Sequence, residues 1–172
     1  MKRFVVMAAL AALAIPTGAH ASDVAYSAPF LAGPQGGDQY NTVMADPATG
    51  DMTVLRVNPA GLSGGLGCGG QGGYANFIVN HEATEPVTKV SVAYSDVLVD
   101  PYSWIVVNVR QGDLYLQSEV RQGIQLEAGT LTVTLPEAAT GSLTVWFGLQ
   151  VASACPNVDG ATATFDSVTF TS

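Results

Sequence analysis

Gly141-Ser-Leu-Thr-Val-Trp-Phe-Gly-Leu-Gln-Val-Ala-Ser-Ala-Cys155 is the stretch on which the fold turns. Successive side chains of an extended chain point to opposite faces. Leu143, Val145, Phe147, Leu149 and Val151 therefore share one face, and Trp146 and Gln150 share the other. Five apolar residues in strict alternation predict a half-buried strand. The stretch ends at Cys155. The second cysteine, Cys68, sits in Gly61-Leu-Ser-Gly-Gly-Leu-Gly-Cys-Gly-Gly-Gln-Gly-Gly73. Eight glycines in thirteen residues cannot cheaply form the interior of a helix or strand, so this run reads as a loop.

Working outward, the same two-residue period recurs. Thr130 to Leu135 alternates with Leu131, Val133 and Leu135 inward, after a short strand at Ile124 and Leu126, and Pro136 to Gly141 ends it. Ser103 to Arg110 puts Ile105, Val107 and Val109 on one face and Trp104, Val106 and Asn108 on the other. Gln111-Gly112-Asp113 turns the chain into Leu114 to Val120. Tyr74 to Asn80 and Val87 to Tyr94 read as two further strands. Asp46-Pro-Ala-Thr-Gly-Asp51 is a turn, since Pro fixes φ, Gly supplies positive φ and the acids bond nearby amides. It makes Gln39 to Asn58 a hairpin. Val24 to Phe30 suggests an edge strand. Thr162 to Thr171 is the last strand, and its alternation slips between Phe165 and the pair Val168 and Phe170, which predicts a bulge. About ten short strands with a turn every 8–12 residues, and no amphipathic helix, predict an all-β, single-domain antiparallel β-sandwich of jelly-roll type.

Residues 1–21 read as a cleaved signal peptide. Lys2 and Arg3 precede an apolar run from Phe4 to Ile15, and Ala19-His20-Ala21 is an A-x-A cleavage signal before Ser22. The run is shorter than the roughly 20 residues of a usual transmembrane span. The mature domain is then residues 22–172, exported and extracellular. Processing removes two cations and no acid, taking the formal charge from −8 to −10. An acidic surface argues against nucleic acid or an anionic membrane as partner. Two cysteines in an exported chain predict one disulfide, Cys68–Cys155, with two buried thiols as the alternative. The bridge closes a loop of about 90 residues, worth roughly 4–5 kcal/mol on the chain-entropy model.

Catalytic signals are sparse. There is no G-x-S-x-G, H-E-x-x-H or C-x-x-C, and the five mature glutamates show no pairing pattern. His81 beside Glu82 could form an acid–base pair, but its place at a strand end reads as an exposed turn residue. The expectation is a protein without enzymatic activity. Asp46, Asp51 and Asp166 are hard oxygen ligands of the kind calcium takes. Aromatic rings offer a different chemistry, because apolar C–H faces of sugars stack on them while nearby polar groups orient hydroxyls. The candidates are Tyr102, Trp104, Tyr115 and Trp146, with Asn108, Arg110, Gln117 and Gln150 on polar faces nearby.

The ending Ala163-Thr-Phe-Asp-Ser-Val-Thr-Phe170 resembles the last strand of secreted carbohydrate-binding jelly rolls, where an aromatic-Asp-x-Val pattern closes the sandwich. The resemblance implies a structural calcium held in part by Asp166, and a glycan as partner. Two functions are weighed on these grounds. One is a secreted, non-catalytic binding module for a glycan or cell-surface polymer. The other is a structural or self-associating protein of the cell surface or matrix with no small-molecule ligand, suggested by the glycine-rich loop.

Overall fold

The computed structural model describes residues 23–37, 41–56, 73–99, 103–121, 124–151 and 160–172. Its regular structure is all strand: β1 Val24–Ser27, β2 Leu31–Gly36, β3 Asn41–Asp46, β4 Asp51–Arg56, β5 Tyr74–Val99, β6 Ser103–Gln111, β7 Leu114–Arg121, β8 Ile124–Val151 and β9 Gly160–Thr171. The hydrogen-bonded order is β3-β4-β9-β5-β8-β6-β7, with β1 added to β9 and β2 to β5. Every pairing is antiparallel. Among the described residues no helix is long and apolar enough to cross a membrane.

The expected short strands at 74–80 and 87–94 are one element of 26 residues, and those at 124–126, 130–135 and 141–151 are one of 28. At about 3.3 Å per residue such strands would run some 85–90 Å if straight. A domain of this size is about 40 Å across, so they must fold over. They do so together. Their pairing slips between Ala83 and Val87, opposite Gly141 and Ala139, and again between Val87 and Lys89, opposite Ala139 and Thr134. Gly141 takes φ 84° there. Pro86 and Pro136 have no N–H to give a ladder. The residues read as terminators are therefore corners within continuous strands.

The corner divides each long strand between two layers. In the first, residues 74–83 of β5 pair with 141–150 of β8, flanked by β2 on one side and by β6 and β7 on the other. In the second, residues 89–99 of β5 pair with 124–134 of β8 and with β9, which carries β4 and β1. The inner faces meet through aromatic rings. Phe147 lies 5.0 Å from Phe30, 5.9 Å from Phe77 and 5.3 Å from Phe165, centroid to centroid. Leu143, Val145, Phe147, Leu149 and Val151 are all buried, as the alternation predicts, and so are Leu131, Val133 and Leu135. The predicted bulge in the last strand is present. Tyr94 pairs with Phe165 and Ala93 with Ser167, so Asp166 is the extra residue and both Phe165 and Val168 face inward.

The expected hairpin forms, Asn41 to Asp46 pairing antiparallel with Asp51 to Arg56. Its turn is locked onto the second layer, because Phe165 N–H donates to Gly50 O at 2.9 Å and Phe30 N–H to Pro47 O at 2.8 Å. Gly50 has φ 85°, and a Cβ there would sit on the Phe165 carbonyl oxygen. Gly112 also has positive φ, 55°, but a Cβ there would meet nothing within 4 Å. Left-handed backbone costs an L-residue about 1–2 kcal/mol. Gly112→Ala should cost about that. Gly50→Ala adds a backbone collision and should cost about 2–4 kcal/mol. Urea unfolding of the two variants checks this, and equal losses would refute it.

The signal peptide, Cys68, Cys155 and Tyr102 lie outside the described residues.

Candidate ligand-binding site

The outer face of the first layer carries the candidate site. Cross-strand neighbours share a face, so the register assigns this surface row by row. Trp104, Gln150 and Tyr74 form one row, and Val106, Gly148 and Asn76 the next. Gln117, Asn108, Trp146 and Ile78 form the third, and Tyr115, Arg110, Thr144 and Asn80 the fourth. Gly148 has no side chain in the second row, on the central strand. A depression of about 210 Å3 lies there, lined by Tyr74, Asn76, Val106, Asn108, Tyr115, Trp146 and Gln150. A second, of about 330 Å3, lies further along β8 between Trp146, Thr144, Ser142, Arg110 and Gly112. Trp146 belongs to both, so the two form a run along β8 with its indole between them.

Hydrogen bonds fix the polar groups. Trp104 Nε1–H donates to Gln150 Oε1 at 3.1 Å. Tyr115 Oη–H donates to Asn108 Oδ1 at 2.6 Å, with Gln117 Oε1 next nearest at 3.1 Å. Asn76 Nδ2–H donates to Pro34 O on β2 at 3.2 Å, and Thr144 Oγ1–H to Asn80 Oδ1 at 3.0 Å. Gln150 and Asn108 thus spend their acceptor oxygens on ring partners. Their amide –NH2 groups remain chemically able to donate. The Arg110 guanidinium stands 5.6 Å over the Trp146 ring and 5.9 Å over that of Tyr115.

Of the four predicted aromatics, Trp146 and Tyr115 come together on this face. Trp104 is half-buried in the adjoining row and acts by holding Gln150. Tyr74, Asn76 and Val106 belong to the depression and were not among the predicted residues. Alternation within Tyr74-Ala-Asn-Phe-Ile-Val79 marks the first two, since Ala75, Phe77 and Val79 point inward and leave Tyr74 and Asn76 outside. Asn108 is only 8 % exposed although it faces outward, because Tyr115 and Trp146 flank it.

The architecture is similar to that of carbohydrate-binding modules. No family model matches the sequence, and neither does any curated protein. Among solved structures, TmCBM61 in complex with β-1,4-galactotriose superposes with a TM-score of 0.47 at 14 % identity, over 81 % of this chain and 88 % of that one. The carbohydrate-binding module CBM36 in complex with calcium and xylotriose gives 0.43 at 13 %, over 86 % and 99 %. CsCBM6-3 from Clostridium stercorarium, in complex with cellobiose, gives 0.37 at 12 %, over 91 % of each chain. At these scores the likeness carries no functional argument, which rests instead on the side chains.

Asp46 and Asp51 face each other across the hairpin, and Asp166 sits at the bulge of β9. Asp46 Oδ1 accepts from Ala48 N–H at 2.9 Å, as a turn former does. Asp51 accepts from Thr49 Oγ1 at 2.9 Å and from Thr164 Oγ1 at 2.7 Å. Asp166 Oδ1 accepts from Ser95 Oγ at 3.0 Å. Among the described residues no three of His, Cys, Asp and Glu come close enough to share a metal ion. Calcium takes six to eight oxygens; these three carboxylates accept from hydroxyls and a turn amide.

His81 is not an exposed turn residue. It lies inside β5, only 8 % exposed. Its ring stacks on Phe170 at 4.2 Å, and Tyr26 Oη is 2.9 Å from Nδ1. Burial pushes its pKa below the ordinary 6.5, and the neighbouring Glu82 carboxylate offsets this in part. Glu85 also lines its surroundings. Since the folded state holds the neutral ring, stability is full above pH 6.5 and is lost as pH falls through the lowered value. Chemical unfolding from pH 7.5 to 4.5 should show that decline, and His81→Gln should remove the part of the slope just below pH 6.5. An unchanged slope would contradict this.

Proposed function

We propose that this protein is a secreted, non-catalytic glycan-binding module, a single jelly-roll-like sandwich stapled by Cys68–Cys155, whose site is the outer face over Gly148. The observation that carries the reading is the hollow itself. Tyr74, Tyr115 and Trp146 stand around it with Asn76, Asn108 and Gln150 between them. Rings for the apolar faces of pyranoses, interleaved with fixed amides for their hydroxyls, are what an uncharged polyol ligand requires. The hollow continues past Trp146 into the second depression, which suits an extended chain better than a compact molecule. Among the described residues lining the two depressions none is a carboxylate or a histidine. Holding without cleaving needs neither.

The test is a glycan array and polysaccharide pull-down with residues 22–172, beside Trp146→Ala and Tyr115→Ala. Stacking rings contribute about 0.5–1.5 kcal/mol beyond their area. Each variant should therefore weaken binding by roughly tenfold with an unchanged melting temperature. Binding that survives in both variants would move the site elsewhere. Failure of the wild type to bind any glycan, with self-association in solution, would favour the structural alternative.

A further inference from the structure

We infer that the glycan taken by this face is acidic, and that Arg110 pairs with the carboxylate of a uronic acid unit; this rests on the glycan-binding reading. Arg110 is exposed and lines the depression beyond Trp146. Its guanidinium is placed by two rings, 5.6 Å over Trp146 and 5.9 Å over Tyr115, and it makes no ion pair within the described residues. The chain has 14 acids against 6 cations. Arg110, without an ion pair among the described residues of so acidic a protein and set against two outward rings, points to an acid supplied by the ligand.

The chemistry favours arginine over lysine at such a point. A guanidinium stacks flat on a ring and keeps its N–H edge for two parallel bonds to a carboxylate. Ring contact lowers the cost of holding the long side chain in place. Arg110 pairs with Thr144 on β8 and with Tyr115 on β7, one row from Trp146. A pyranose against Trp146 thus has the Arg110 cation one row along the strands and the Asn108 amide beside it in its own row. The protein's net negative charge does not veto this, because charges beyond about 8–10 Å are screened at physiological salt.

Calorimetry would be run with galacturonate, glucuronate and mannuronate oligomers and with the same oligomers carboxyl-reduced to their neutral sugars. The proteins are the wild type, Arg110→Gln, Arg110→Lys and Trp146→Ala, each checked by its melting curve. The wild type should prefer at least one acid oligomer over its reduced form by about tenfold, with the preference shrinking as salt rises. Arg110→Gln should abolish that preference while keeping binding to the neutral form. Arg110→Lys should keep part of it. Equal wild-type affinity for acid and reduced oligomers, or a preference that persists in Arg110→Gln, would overturn the inference and leave the glycan reading standing. Binding of neutral glycans alone would do the same. No binding to either set, or binding indifferent to Trp146→Ala, would overturn both.

Discussion

Phe147→Ala should lower the unfolding free energy by about 3–5 kcal/mol, the usual cost of emptying an aromatic site in a core. The upper half of that range is expected here, because the site cannot collapse. Phe147 touches Phe30 in the segment between β1 and β2, Phe77 on β5 and Phe165 on β9. Two of these belong to different layers, so the ring fills the gap between sheets rather than a niche within one. Relaxation would require the layers to approach, and the continuous strands β5 and β8 fix their separation at the corner. Urea unfolding measures the loss as a shift in midpoint at constant slope. Since a domain of this kind holds only about 5–15 kcal/mol in all, Phe147→Leu, costing about 1–2 kcal/mol, keeps the comparison measurable if the alanine variant does not fold. A loss under about 1 kcal/mol for Phe147→Ala would mean that the layers are not joined through these rings.

That ring was legible in the sequence, and so was much of the frame around it. Period-two alternation is a local signal. It marked Leu143 to Val151 and Leu131 to Leu135 correctly, and the slip after Phe165 gave the bulge at Asp166. Continuity was not legible. Pro86, Pro136 and Gly141 are punctuation in any local reading. Whether punctuation ends a strand or bends it depends on a partner that bends at the same place, and β5 and β8 do so together. His81 was misread for the same reason: the strand it was thought to end runs on through it. On the candidate face, alternation pointed Trp146 and Tyr115 outward. Their convergence with Tyr74 and Asn76 depends on the register of β5 against β8, which no single strand encodes. The three aspartates were singled out by residue type rather than by alternation. Residue type alone suggested a metal, while the strands spread their carboxylates among separate hydroxyl and amide partners.

Gly148→Ala should be the most damaging single-methyl addition on the candidate face, with an expected loss of about 3 kcal/mol or more. Gly148 lies in β8 between β5 and β6, opposite Asn76 and Val106. A Cβ there would sit on the Ala75 carbonyl oxygen, with the Ala75 carbonyl carbon and Asn76 Cα each at 2.9 Å. All three are backbone atoms, and no flexible side chain can swing aside. Relief must come from parting β5 and β8, the pair that carries the whole first layer. The strands approach so closely at this point that only glycine fits, and its cross-strand neighbours Asn76 and Val106 line the hollow. Parting β5 from β8 would also separate Tyr74 and Asn76 from Trp146 and Gln150 across the hollow. Thermal unfolding and glycan affinity of Gly148→Ala should therefore fall together. A variant that keeps its melting temperature and loses only affinity would show instead that the glycine serves the cavity alone, and that the strands can yield to a methyl group.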